Sequence, residues 1–260
     1  MERALLLLLA CLLSACAKPR EVMPGHFVER QVQVDGASHR YQVFVPSPAA
    51  YAGKPALVLF LHGSGERGND NRAQLDAGLG PYLRQHTRDF PALVVLPQVP
   101  GDDEWTQTSA RVALAAQQAT RVEFDADPQR VYATGMSMGG YGTWEVAMLA
   151  PERFAALVPV CGAVHPPRPE RPSLRVTQVD GAADPYAAIA QRLHGMPVWL
   201  FHGALDDVVS THDDHQLVAA FKAVGAPVRY TEYPQGNHNA WDATYADPAM
   251  WAWLFAQRRR

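Results

Sequence analysis

Three positions carry residue types suited to nucleophilic acyl transfer: a serine between glycines, a histidine and a carboxylate. Ser137 lies in Gly135-Met-Ser137-Met-Gly139, which has the spacing Gly-x-Ser-x-Gly. A serine hydroxyl attacks poorly unless a base removes its proton, and imidazole suits that task near neutral pH. His238, in Pro234-Gln-Gly-Asn-His238-Asn, is the candidate base. A carboxylate must then fix the imidazole tautomer and stabilise the imidazolium, and Asp206 and Asp207 both stand after His202-Gly203. None of these signals is decisive alone. With glycine near 7% of residues, the serine pattern arises by chance in roughly one chain in ten of this length. The bland readings are a glycine-rich turn, a surface histidine and a solvated acid pair, so the surrounding elements have to decide.

The serine needs a strand on one side and a helix on the other. Val131, Tyr132, Ala133 and Thr134 suit a strand packed on both faces. Trp144, Val146, Ala147, Met148 and Leu149 give a helical apolar stripe that Pro151 ends. On such an elbow the nucleophile sits in a strained conformation with its hydroxyl pushed outward. Glycine at 135 and 139 removes collisions with neighbouring backbone. The helix that follows aims its free N–H groups and dipole at the serine, where negative charge would develop.

The rest of the chain alternates strands and helices. Val28–Val34 and Tyr41–Val45 read as a hairpin about Asp35-Gly36. Ala56–Leu61 and Ala92–Leu96 are continuous apolar runs, as expected of covered parallel strands. Helices are expected around Arg72–His86, over Ala110–Phe124 with Val112, Ala115, Ala116, Ala119 and Val122 inward, over Asp213–Val224 and over Met250–Phe255. Further strands are expected at Ala155–Val160, Pro197–Phe201 and Val228–Tyr233. Ser137, the Asp206-Asp207 pair and His238 therefore each follow a strand, at one edge of a mostly parallel, doubly wound α/β sheet with the hairpin at its side. Val164–Pro185, rich in proline and arginine, breaks the rhythm and is read as a small lid or a plain surface loop.

With 260 residues and a net charge of −3, the chain can build one substantial domain, and its balanced charge gives no sign of nucleic acid. Residues 1–15 read as an export signal: Arg3 precedes an apolar run, Ala4–Leu13, too short to span a bilayer. The run ends in Leu13-Ser14-Ala15-Cys16, which resembles a bacterial lipobox. That resemblance implies acylation of Cys16, a tether over 16–26, a catalytic domain over 27–260, and a cell-envelope location, with Ala17 pointing to the outer membrane. An ordinary secretory signal is the alternative. Cys161 would be the one remaining thiol outside the leader, and its apolar surroundings suggest a small buried side chain.

Leu61–Gly68, Gly135–Trp144, Phe201–Val209 and Tyr230–Trp241 together resemble the serine-esterase branch of the α/β-hydrolase superfamily, nearest the phospholipase/carboxylesterase and dienelactone-hydrolase-like groups. The resemblance covers roughly residues 27–255. It implies a carboxylic ester as substrate, no cofactor, and a Ser137–Asp206–His238 triad, with Asp206 preferred over Asp207 because the acid in these relatives lies four residues after the histidine of His-Gly. It also implies an oxyanion hole from the Met138 and Ser64 amides. Ser137 departs from the cysteine nucleophile of dienelactone hydrolases proper. His62 would brace the oxyanion loop, Glu66 and Arg67 could pair beneath it, and Trp105 and Trp241 could line a pocket. His212-Asp213-Asp214-His215 has the look of a metal cluster, but Thr211 before it reads as a helix cap with acids in the first turn. A prolyl-oligopeptidase-type peptidase and a non-catalytic binding lipoprotein on the same fold are the competing expectations.

Overall fold

The computed structural model of the protein describes residues 22–259. The signal, Cys16 and most of the tether lie outside the described residues. Strand β1 (His26–Val34) turns back into β2 (Ala37–Val45) through Asp35 and Gly36, both at positive φ (51° and 78°). That pair of left-handed residues matches the twist of a two-residue hairpin. In chain order follow β3 (Ala56–Leu61), α1 (Leu79–Gln85), β4 (Ala92–Pro97), α2 (Gln107–Glu123), β5 (Val131–Met136), α3 (Met138–Leu149) and β6 (Ala156–Val160). Then come α4 (Pro185–Arg192), β7 (Val198–Gly203), α5 (His212–Ala223), β8 (Val228–Tyr233), α6 (Trp241–Ala246) and α7 (Pro248–Ala256).

One eight-stranded sheet runs β1-β2-β4-β3-β5-β6-β7-β8, antiparallel through β2 and parallel thereafter. Every residue of β3, β4 and β5 is buried. Alternation splits them between two cores: Leu57, Leu59 and Leu61 join Leu114, Trp144, Ile189 and Phe221 on one face. Val58 and Phe60 join Leu79, Leu83, Tyr245 and Leu254 on the other. Each such side chain contributes roughly 1.5–3 kcal/mol by leaving water.

Several sequence expectations are revised. The helix expected around Arg72–His86 is a 3-10 turn at Ala73–Leu75 followed by α1, broken at Gly78 with φ 60°. Helix α2 buries Val112, Ala113, Ala116, Gln117 and Thr120, while Val122 is 64% exposed, so its inward stripe is rotated from the expected one. Thr211 makes no side-chain cap and is itself helical in conformation. Helices α4 and α6 were not expected. Both α4 and α7 start Asp-Pro, and in each the aspartate accepts a first-turn amide, from Ala187 and Ala249 respectively.

The 164–185 segment is a docked wall held at three buried carboxylates. Arg171 makes a forked pair with Glu104, with N–O distances of 3.0–3.1 Å. The Thr177 backbone amide and hydroxyl and the Gln178 side-chain amide donate to Glu145 on α3. Asp213 accepts the Val164 and His165 amides at 2.8 Å each and the Tyr186 hydroxyl at 2.6 Å.

Candidate active site

Strand β5 delivers Ser137 to the elbow with φ 54° and ψ −119°, a region that costs a non-glycine residue about 1–3 kcal/mol. The surroundings hold it there. Its amide donates to the Val160 carbonyl at 2.9 Å, and its carbonyl accepts the Gly140 amide at 2.7 Å. A side chain at Gly139 would strike the Leu61 carbonyl, and one at Gly135 the Gly139 carbonyl. The two glycines thus let β3, β5 and α3 close around the serine.

His238 lies in the loop after β8. The Ser137 hydroxyl donates to its Nε2 at 2.9 Å, and its Nδ1–H donates to Asp206 Oδ2 at 2.7 Å. The Trp241 ring meets the imidazole edge-on at 5.5 Å. Asp206, in the turn after β7, has a fully buried carboxylate; Asp207 is exposed. Oδ1 of Asp206 accepts the Val208 and Val209 amides, each at 2.9 Å. Burial alone would raise this carboxyl, but hydrogen bonds from His202, His238 and those amides outweigh it and hold the group well below the usual carboxylate range.

His202 is the residue that sequence reading passed over. It is fully buried, with Nε2 3.1 Å from Asp206 Oδ2 and 3.0 Å from the Val209 carbonyl, and Nδ1 2.8 Å from Asp214 Oδ2. A carbonyl can only accept, so Nε2 carries a proton. Burial opposes a charge on this ring, yet the hydrogen bonds and charges of Asp206 and Asp214 prevail and push its pKa up to about 10. The signal was present as His202 and Asp206 four residues apart, but Asp214 joins them only through the fold. Both acids of the Asp213-Asp214 pair are buried and hydrogen-bonded to protein groups.

On the other side of the serine, Ser64 opens a 3-10 turn, Ser64–Glu66, after β3. Gly63 packs against the nucleophile: a Cβ there would stand 3.6 Å from that of Ser137. Met138 is the first residue of α3, where an N–H has no partner within the helix. His62 anchors the loop. Its Nε2 accepts the Val99 amide at 3.0 Å, so Nδ1–H donates to the Gly63 carbonyl, and burial lowers its pKa to about 4. The Glu66–Arg67 pair does not form: the guanidinium donates to the Ser64 and Asp103 carbonyls. Trp105 is 2% exposed and donates to the His62 carbonyl, so it is core rather than pocket; Trp241 is half-buried beside His238.

Cys161 is fully buried behind the site, and its ligand atom lies within 4.8 Å of those of Asp206 and His238. Burial holds the thiol protonated, and the carboxylate and imidazole already bond one another, so the trio is a poor metal-ligand set.

The strand order and the elbow after β5 are those of the α/β-hydrolase fold. Residues 100–168 match the prolyl oligopeptidase family. The chain is 26% identical over 174 residues to the poly(3-hydroxybutyrate) depolymerase of Ralstonia pickettii, covering 58% of this chain and 36% of that one. It is 25% identical over 215 residues to a probable carboxylesterase of Oryza sativa subsp. japonica, covering 74% and 85% respectively. The crystal structure of a thermostable esterase superposes with a TM-score of 0.69 at 30% identity, over 90% of this chain and 63% of that one. The chain thus spans about a third of the depolymerase and less than two thirds of the thermostable esterase.

Proposed function

We propose that the protein is a serine hydrolase that cleaves carboxylic esters through an acyl-enzyme. The observation that carries this reading is the continuous hydrogen-bonded path from Ser137 through His238 to Asp206 at a positive-φ elbow. Ser137 Oγ attacks the ester carbonyl carbon as its proton passes to His238 Nε2. The carbonyl π pair moves onto oxygen, where the Met138 and Ser64 amides receive it. The C–O bond to the alcohol then breaks, and His238 returns its proton to the departing oxygen. Water, deprotonated by His238, repeats the sequence on the acyl-enzyme and frees Ser137. Asp206 keeps Nδ1–H oriented and stabilises the imidazolium. The cycle needs no cofactor.

The test is hydrolysis of p-nitrophenyl acetate, butyrate and octanoate by the protein and by Ser137→Ala. Turnover should fall on the order of 10⁴-fold or more in the variant. Equal rates in both proteins would sink the assignment. The match over residues 100–168 supports a second reading, peptidase activity. Chromogenic peptides cleaved faster than the esters would favour it.

A further inference from the structure

The sheet has two unlike edges. Ser137, Asp206, His238 and the Ser64 turn all follow the C-terminal ends of parallel strands. The chain comes into the fold at the opposite edge. His26 pairs with Val45, β2 runs antiparallel to β4, and the Gly25 amide donates to the Thr87 carbonyl just before β4. The C-terminal segment returns to that same edge, where the Tyr132 hydroxyl donates to the Gln257 carbonyl and the Arg259 amide to the Gln129 carbonyl.

Charge follows the same division. Between the turns that precede β6, β7 and β8 lies an open concavity of about 930 Å³ bordered by Arg192, His194, Arg258 and Arg259, with Glu152 its one acid. Arg88 is exposed on the same edge. Asp125 is engaged by Lys54 and Asp89 by His86, while Asp127 pairs with Arg258, whose side chain nonetheless stays 57% exposed. The loops on the serine edge instead expose more acids than cations, with Asp102, Glu170, Asp207 and Asp242 against Arg72 and Arg168.

We propose that the edge bearing Arg88, Arg192, Arg258 and Arg259 is a membrane-facing surface that seats on anionic phospholipid headgroups. Ser137 then faces the aqueous compartment, and the substrate is a water-soluble ester rather than a lipid of the anchoring bilayer. The proposal rests on acylation of Cys16 and on the hydrolase reading of the site. The nine residue steps from Cys16 to Gly25 reach at most roughly 30 Å when fully extended. A six-residue strand is about 20 Å long, and loops add to both ends, so the tether is too short to turn the serine edge comfortably onto the bilayer. Charge acts in the same sense: each cation at an anionic surface is worth about a fivefold gain in partitioning, whereas exposed carboxylates are repelled.

The experiment uses the full acylated chain in vesicles of 30:70 phosphatidylglycerol/phosphatidylcholine and in pure phosphatidylcholine. An environment-sensitive thiol label is placed at exposed Gly195→Cys or Ala243→Cys, and iodide quenching is measured. The label at 195 should be shielded several-fold in the anionic vesicles, and the shielding should vanish in phosphatidylcholine and in Arg192→Glu/Arg258→Glu/Arg259→Glu. The label at 243 should remain accessible throughout. Equal quenching at 195 in both vesicle types, or shielding at 243 instead, would overturn the proposal, as would a mature-chain mass without acyl groups on Cys16. Turnover of p-nitrophenyl butyrate in detergent reads the hydrolase assignment separately, and the triple variant should retain it.

Discussion

Behind Asp206, the His202–Asp214 pair decides how the acid is held. Nε2–H of His202 reaches the same Asp206 oxygen that His238 contacts, and Asp214 lies across the ring. The pair as a whole is neutral, so it supplies a donor to Asp206 without adding net charge. His202→Gln keeps an amide donor near the Nε2 position but leaves the buried Asp214 carboxylate uncompensated. It should lower kcat about ten- to a hundredfold at nearly constant KM, and move the acid limb of the kcat/KM–pH profile upward, because losing the cation that touches Asp206 favours a cationic imidazole nearby even if Asp214 takes up a proton. Asp214→Asn should leave that limb in place or move it down. A pair that merely filled space would lower activity without moving either limb, so two unshifted profiles would refute the positioning role.

At the scale of elements, the 164–185 wall depends on carboxylates rather than on regular structure. Glu104 is 5% exposed and Glu145 1%, and each receives donors only from side chains and amides that the segment brings to it. Glu104→Ala should destabilise the protein by about 3 kcal/mol, since it strands the Arg171 guanidinium in a mostly buried position. Limited proteolysis should then cut between residues 165 and 184, and unchanged cleavage would show that the fork is dispensable. The sequence could not announce these tethers. Glu104 and Arg171 are 67 residues apart, and a Pro- and Arg-rich stretch reads as loop whether or not it is docked. What was legible had local causes: two-residue turn chemistry at Asp35-Gly36, covered strands in the apolar runs at Ala56 and Ala92, and the glycine spacing about Ser137. Of the expected α2 stripe, Val112 and Ala116 are buried, Ala115 and Ala119 partly so and Val122 exposed, because Val122 lies near the helix end and off the face of Val112, Ala116 and Thr120. His202 escaped notice because its partners gather only when β7 and α5 pack.

For the whole molecule, two buried histidines pull the pH dependence of stability in opposite senses. Burial lowers His62 to about 4 from an ordinary 6.5. Below pH 6.5 the unfolded chain therefore binds a proton that the native state refuses, and stability falls until about pH 4. His202 is raised to about 10 by Asp206 and Asp214 against the effect of its burial. Its contribution is complete below pH 6.5 and is lost as pH rises through 10. The lowered carboxyls act mainly below the range of His62 and the buried tyrosines mainly above that of His202, while burial raises Glu66 and Asp214, whose shifts oppose the His62 limb at its lower end. Between pH 4 and 10 the two histidines therefore set a stability maximum near 6.5, with limbs of up to about 1.4 kcal/mol per pH unit. Urea denaturation midpoints across pH 4.5–9.5 measure this curve. His62→Gln should flatten its acid limb alone, and the paired change His202→Gln/Asp214→Asn, which removes both partners, its alkaline limb alone. A native profile that climbs steadily across the range would show that one of these rings does not hold the proton state its hydrogen bonds require.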